Sequence, residues 1–121
     1  MRLVPLLLAF LPLPALAAPP ALTCQAEVVC VAGADCSALG AEVELQPAGS
    51  GYRATLDAGA EVMLSPLGSV SGGIVHFDAV SPDGVALILS IYVDGRFAMT
   101  VQQDVDGPHA ETTFGTCKPR T

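Results

Sequence analysis

Apolar and polar side chains alternate residue by residue through most of this chain, and no stretch shows the three-to-four-residue spacing of an amphipathic helix. Period-two alternation puts successive side chains on opposite faces of an extended strand, so each such segment buries one face and wets the other. Ala41-Glu42-Val43-Glu44-Leu45-Gln46 has this form, with two carboxylates outward, and Tyr52-Arg53-Ala54-Thr55-Leu56-Asp57 repeats it. Thr23 to Val31 and Glu61 to Leu64 read as further strands, as does Ile74 to Val80 with Val75, Phe77 and Ala79 on one face. Gly, Pro, Asp and Ser cluster between them at Pro47–Gly51, Asp57–Gly59 and Ser65–Gly73, where the chain must turn.

Later in the chain, Val85–Val93 and Arg96–Gln103 flank Asp94-Gly95. Asp-Gly suits a two-residue type I′ turn, which pairs Val93 with Arg96. Ile88, Ser90 and Tyr92 then lie opposite Val101, Met99 and Phe97 on the face expected to be core. Ser81-Pro82-Asp83-Gly84 and Asp104 to Pro108 are turns, and a threonine-rich strand from His109 to Cys117 ends the series. The expected fold is therefore all-β: an antiparallel meander of about eight short strands closing into a small barrel or a sandwich.

The N-terminus does not belong to this pattern. Arg2 precedes the apolar run Leu3–Leu11, which is too short to span a bilayer and is interrupted by proline, and Ala15-Leu16-Ala17 supplies the small-x-small site of signal cleavage. Residues 1–17 are read as a cleaved secretion signal, cut between Ala17 and Ala18, and 18–121 as a single domain. A lipid-anchored reading through Cys24 is disfavoured, because Thr23 precedes that cysteine and Pro19-Pro20 separate it from the apolar run. The expected destination is periplasmic or extracellular, as the alanine- and glycine-rich, lysine-poor composition typical of GC-rich bacterial genomes suggests.

Export sets the redox state of the four cysteines, Cys24, Cys30, Cys36 and Cys117. In a short exported domain an even number reads as disulfides, and the absence of C-x-x-C disfavours zinc or haem. Along an extended strand Cys24 and Cys30 stand about 20 Å apart, beyond disulfide reach. Cys30 and Cys36 instead flank the turn-forming Ala32-Gly33-Ala34-Asp35. The expected bridges are Cys30–Cys36 and Cys24–Cys117, the second joining first strand to last.

Four basic residues (Arg53, Arg96, Lys118, Arg120) against twelve acidic ones leave the processed chain at −8. Such a surface repels phosphate backbones and anionic lipid heads, so nucleic acid and stable membrane insertion are not expected. His76 and Asp78, two positions apart on one strand face, form a possible weak site for a metal or a proton, and so the basis of a small metal-dependent or hydrolytic enzyme. A solvated histidine is the simpler reading. In Gly68-Ser69-Val70-Ser71-Gly72 the central position of a nucleophile elbow is Val70, with no helix following. Asp104-Val105-Asp106-Gly107 begins like a calcium loop but lacks the later ligands and reads as a turn. No cofactor is implied. The aromatic residues, few and without Trp, are expected mostly in the core.

The pattern Cys24-x₅-Cys30-x₅-Cys36 with the closing Phe114-Gly115-Thr116-Cys117 resembles small uncharacterised exported proteins of Gram-negative bacteria, a group that brings no activity with it. Gly49-Ser50-Gly51-Tyr52 is similar to the Ser-Gly-x-x-Tyr loop of periplasmic C-type lysozyme inhibitors, which are small disulfide-tied β-barrels. The spacing differs and the tryptophan-containing strand is absent, so no site residue is carried over. The resulting expectation is a non-enzymatic exported module that binds a protein or a small ligand. Its specific form is an inhibitor of a basic secreted enzyme such as lysozyme, to which an acidic protein would be steered.

Overall fold

In the computed structural model, residues 20–56, 59–68, 72–104 and 106–120 are described; the leader, with Ala17 and Ala18, lies outside them. The alternating segments form eight antiparallel strands: β1 (Leu22–Val31), β2 (Ser37–Ala48), β3 (Gly51–Thr55), β4 (Glu61–Pro66), β5 (Val75–Val80), β6 (Ala86–Ile91), β7 (Arg96–Asp104) and β8 (Pro108–Pro119). Each strand pairs with its neighbours in sequence, and β1 also pairs with β8, so the meander is a closed barrel and not a sandwich. Closure removes two sheet edges that would otherwise present unpaired backbone groups.

Inward positions follow the alternation. Cys24, Val43, Leu45, Tyr52, Ala54, Leu64, Phe77, Leu87, Leu89 and Phe97 are buried, with Val62, Val75, Ile91, Met99 and Val101 packed against them. Glu42 and Arg53 are exposed on the outside. The interior is packed with side chains, as expected for a barrel of eight strands. No buried side-chain polar atom lacks a hydrogen-bond partner among the described residues.

Both expected disulfides are present. Cys24 and Cys117 are direct register partners of β1 and β8 and face the core, so the bridge ties the closing seam of the barrel from within. Cys30–Cys36 clips the β1–β2 turn, where the Ala34 amide donates to the Val31 carbonyl at 3.0 Å. A β-bulge between Ala26 and Val28 interrupts β1. It reverses which face each later residue occupies, so Val28 is left exposed opposite Phe114 on the outer wall.

Gly115 marks a close approach. It lies between Ala26 and Phe97 in the register, and a Cβ built on it would overlap the Gln25 carbonyl oxygen and stand 2.8 Å from Phe97 Cε1. The Phe97 ring takes the space that a side chain would fill. This is the physical content of the Phe114-Gly115-Thr116-Cys117 motif: Gly115 and Cys117 point inward, while Phe114 lies on the outer wall at 45 % exposure; Tyr52, Phe77 and Phe97 are buried, as expected for most of the aromatic residues.

The Asp94-Gly95 hairpin departs from expectation in its register. The Tyr92 amide donates to the Arg96 carbonyl and the Gly95 amide to the Tyr92 carbonyl, so three residues, not two, form the loop. Gly95 alone of the loop has positive φ (89°), which makes a type I turn followed by a bulge in place of type I′. Asp94 favours this form by accepting the Arg96 amide at 3.0 Å and the Arg96 guanidinium at 2.7 Å. The one-residue slip turns β6 over. Leu87, Leu89 and Ile91 face the core opposite Val101, Met99 and Phe97, whereas Ile88, Ser90 and Tyr92 lie outside.

Candidate functional site

The turns gather at two ends. One end holds the start of β1, the β2–β3 turn, the β4–β5 connection and the β6–β7 loop; the other holds the β1–β2, β3–β4, β5–β6 and β7–β8 turns. At the first end the inward side chains stop short of filling the barrel. A cavity of about 390 Å³ opens there to solvent, walled by Leu22, Tyr52, Val75, Phe77 and Ile91 from four strands, β1, β3, β5 and β6. Pro20, Pro66 and Leu67 extend the apolar wall to the rim, where Ser50 and His76 are the polar groups.

Two aromatic rings form the floor. Tyr52 and Phe77 meet edge to face with centroids 5.3 Å apart, the favourable quadrupolar arrangement. The Tyr52 hydroxyl donates to the Pro20 carbonyl at 2.9 Å, which fixes the ring and draws the start of the described chain across the rim. Burial pushes the Tyr52 phenol above its usual range, so it stays neutral and serves as donor. Of the tetrapeptide Gly49-Ser50-Gly51-Tyr52, the structure places Ser50 exposed on the rim and Tyr52 inside.

His76 and Asp78 lie on β5, on the face opposite the buried Phe77. His76 shares a hydrogen bond through Nδ1 with Ser90 Oγ, its register partner on β6, at 2.7 Å, and so reaches across the sheet rather than along it to Asp78. Asp78 stands between Ser65 and Ile88. Among the described residues no group of three or more His, Cys, Asp or Glu is placed to hold a metal. At the far end His109 Nε2 lies 3.7 Å from Glu111 Oε2, and Asp104 accepts the Gly107 amide at 2.9 Å, the turn role read for that segment. Residues 69–71 of the Gly68–Gly72 stretch lie outside the described residues.

A smaller apolar recess of about 320 Å³ lies at the far end, where β4 and β5 are paired only at Ser65–Asp78 and Pro66–Phe77 and then splay apart. Met63 and Val80 flank it, both strongly exposed. Among the described residues no helix is long and apolar enough to cross a membrane. No protein-family model, curated protein or solved structure matches the chain.

Proposed function

We propose that this protein is an exported, non-enzymatic binding module whose barrel mouth receives an apolar group of a small molecule. The observation that carries the reading is the apolar-walled cavity of about 390 Å³ at one end of the barrel. Its volume falls in the range of ordinary ligand sites, its walls are apolar, and the few polar groups stand at the rim, where they can orient a ligand. The two disulfides support an oxidising destination, periplasmic or extracellular. Apolar side chains inside and charged ones outside are the reverse of a lipid-spanning barrel, and strands of five or six residues are shorter than such barrels use.

Against hydrolysis, the His76–Ser90 pair sits on the outer wall within the β5–β6–β7 ladder, whose backbone amides are committed to neighbouring strands rather than to an oxyanion. The alternative of an inhibitor of a basic secreted enzyme has one observation in its favour. The Gly49-Ser50 turn of the lysozyme-inhibitor resemblance borders the same mouth on an acidic protein. That version predicts binding and slowing of lysozyme at low ionic strength.

The test of the main reading is titration with N-phenyl-1-naphthylamine, a neutral fluorophore that brightens in apolar surroundings. The folded protein is expected to enhance its emission saturably. Leu67→Glu, at the exposed rim, should weaken binding at least tenfold, or about 1.4 kcal/mol. Val80→Glu, at the opposite end, should leave it unchanged. No enhancement, or an enhancement indifferent to Leu67→Glu, refutes the mouth as the site.

A further inference from the structure

The end of the barrel away from the mouth carries a run of carboxylates. Asp35 lies in the β1–β2 turn, Asp83 in the β5–β6 turn and Asp106 in the β7–β8 turn, all three exposed. Glu61 opens β4, Asp104 ends β7 and Glu111 lies near the start of β8. Among the described residues no lysine or arginine stands in these turns or at these strand ends. Arg96 opens β7, Lys118 lies near the end of β8 and Arg120 just beyond it, all at the mouth end. Arg96 is paired with Asp94 and Arg120 with Glu44. His109, beside the acidic turns, lies 3.7 Å from Glu111.

The same end holds the apolar recess of about 320 Å³ left where β4 and β5 splay apart. Ala79, Leu87 and Val101 wall it, and Met63 and Val80 stand at its lip, 59 % and 71 % exposed. Water covers two large apolar side chains there, an arrangement that a docked apolar group would relieve. Glu61 borders the recess two residues from Met63. Arg53, in the middle of β3, is the register partner of Met63 and the one basic residue of the processed chain outside the mouth end.

We propose that this end docks a basic polypeptide, one that presents an apolar side chain to the recess and lysine or arginine side chains to the carboxylates around it. Charge complementarity selects the occupant. A surface whose charges are of one sign repels polyanions and anionic lipid heads and steers a basic partner end-on. The spread of the carboxylates selects a polypeptide over a small cation. Glu61 on β4 and Glu111 on β8 stand on opposite sides of the eight-strand ring, with Asp83, Asp104 and Asp106 on the arc between them. A single cation meets one of these groups, whereas several cationic side chains on one chain meet them together. Exposed ion pairs add little affinity each, so the close contact must come from the apolar group seated at Met63 and Val80. The mouth faces the other way, and the assignment stands independently of what the mouth binds.

The test is fluorescence anisotropy of a labelled hexapeptide with two leucines between paired lysines, set against the same peptide with serines in place of the leucines. At about 10 mM salt the leucine peptide is expected to bind the processed protein with a Kd of about 100 μM or tighter. The serine peptide should bind about tenfold more weakly, because it has no apolar surface to bury. Met63→Ser/Val80→Ser, at two exposed positions, should weaken the leucine peptide about fivefold and leave the serine peptide unchanged. Asp83→Asn/Asp106→Asn should weaken both peptides about fivefold at low salt and neither above about 0.5 M. Asp106 has φ 55°, a conformation that asparagine also adopts. Leu67→Glu, at the mouth, should change neither peptide. All variants should keep the two disulfides and the far-UV circular dichroism of the wild type. No binding at about 1 mM overturns the proposal. So does equal binding of the two peptides, or leucine-peptide binding indifferent to the Met63 and Val80 substitutions, since the attraction is then to charge alone. Binding lost in Leu67→Glu overturns it too, because the peptide then enters the mouth.

Discussion

The two disulfides close loops of very different size, and the difference can be measured. Cys24–Cys117 joins residues 93 apart, whereas Cys30–Cys36 spans 6. In the chain-entropy treatment these closures restrict the unfolded chain by about 4.7 and about 2.2 kcal/mol respectively. The long bridge also sits inside the barrel, with Cys24 at 1 % and Cys117 at 8 % exposure, so replacing both cysteines by alanine leaves a void as well. Removing two sulfur atoms from a packed wall adds about 1 kcal/mol. Cys30 and Cys36 are not core residues and leave no comparable void. The double variant Cys24→Ala/Cys117→Ala should therefore lose about 5–6 kcal/mol and Cys30→Ala/Cys36→Ala about 2 kcal/mol. Against a stability of about 5–15 kcal/mol, the first leaves the barrel close to unfolding and the second leaves it intact. The assay is urea unfolding followed by far-UV circular dichroism, with Tm as a check: about 10 °C is expected for the short bridge and 20 °C or more for the long one. Equal losses, or a larger loss from the short bridge, would refute the reasoning. They would mean that β1 and β8 already associate in the unfolded chain, so that tying them restricts nothing.

Two further outcomes follow from single positions. Gly115→Ala puts a methyl group into the Gln25 carbonyl and against Phe97, forcing β8 away from β1, and should cost about 3 kcal/mol in the same urea assay; a loss under about 0.5 kcal/mol would show that the seam yields freely. The Asp94 carboxylate is held below its usual range, first by the Arg96 amide it accepts and further by the Arg96 guanidinium. A depressed carboxylate stabilises the fold above its unfolded pKa and stops doing so as the pH falls through its folded value. Asp94→Asn should accordingly unfold at lower urea than wild type at neutral pH, with the gap closing as the pH falls below the usual carboxylate range; a gap that persists once the carboxylate is protonated would assign the effect to the turn geometry alone.

How far the fold could be read depended on whether the information was local. Alternation at Val43 and Leu45, at Tyr52 and Ala54, and at Val75, Phe77 and Ala79 told which side chains point inward, because a strand's two faces are fixed by its own residues. The disulfide pairing was legible for the same reason, since the reach of an extended chain excludes Cys24–Cys30. The β6–β7 register was not local. Asp94-Gly95 serves a two-residue loop and a three-residue loop equally, and the choice between them reverses every side chain of β6. The deciding signal lay in the strands: Leu87, Leu89 and Ile91 form a wholly aliphatic face, whereas the face through Ile88, Ser90 and Tyr92 would put a hydroxyl beside Met99. Weighing the faces before the turn selects the observed register. That same slip concealed the mouth, because Ile91 was expected outside and is one of its walls. Tyr52, Val75 and Phe77 each read as ordinary core, and so they are along most of their surface. What makes them a site is that the ends of β1, β3, β5 and β6 come together there around one cavity. That property belongs to the closed ring and to no segment of the chain.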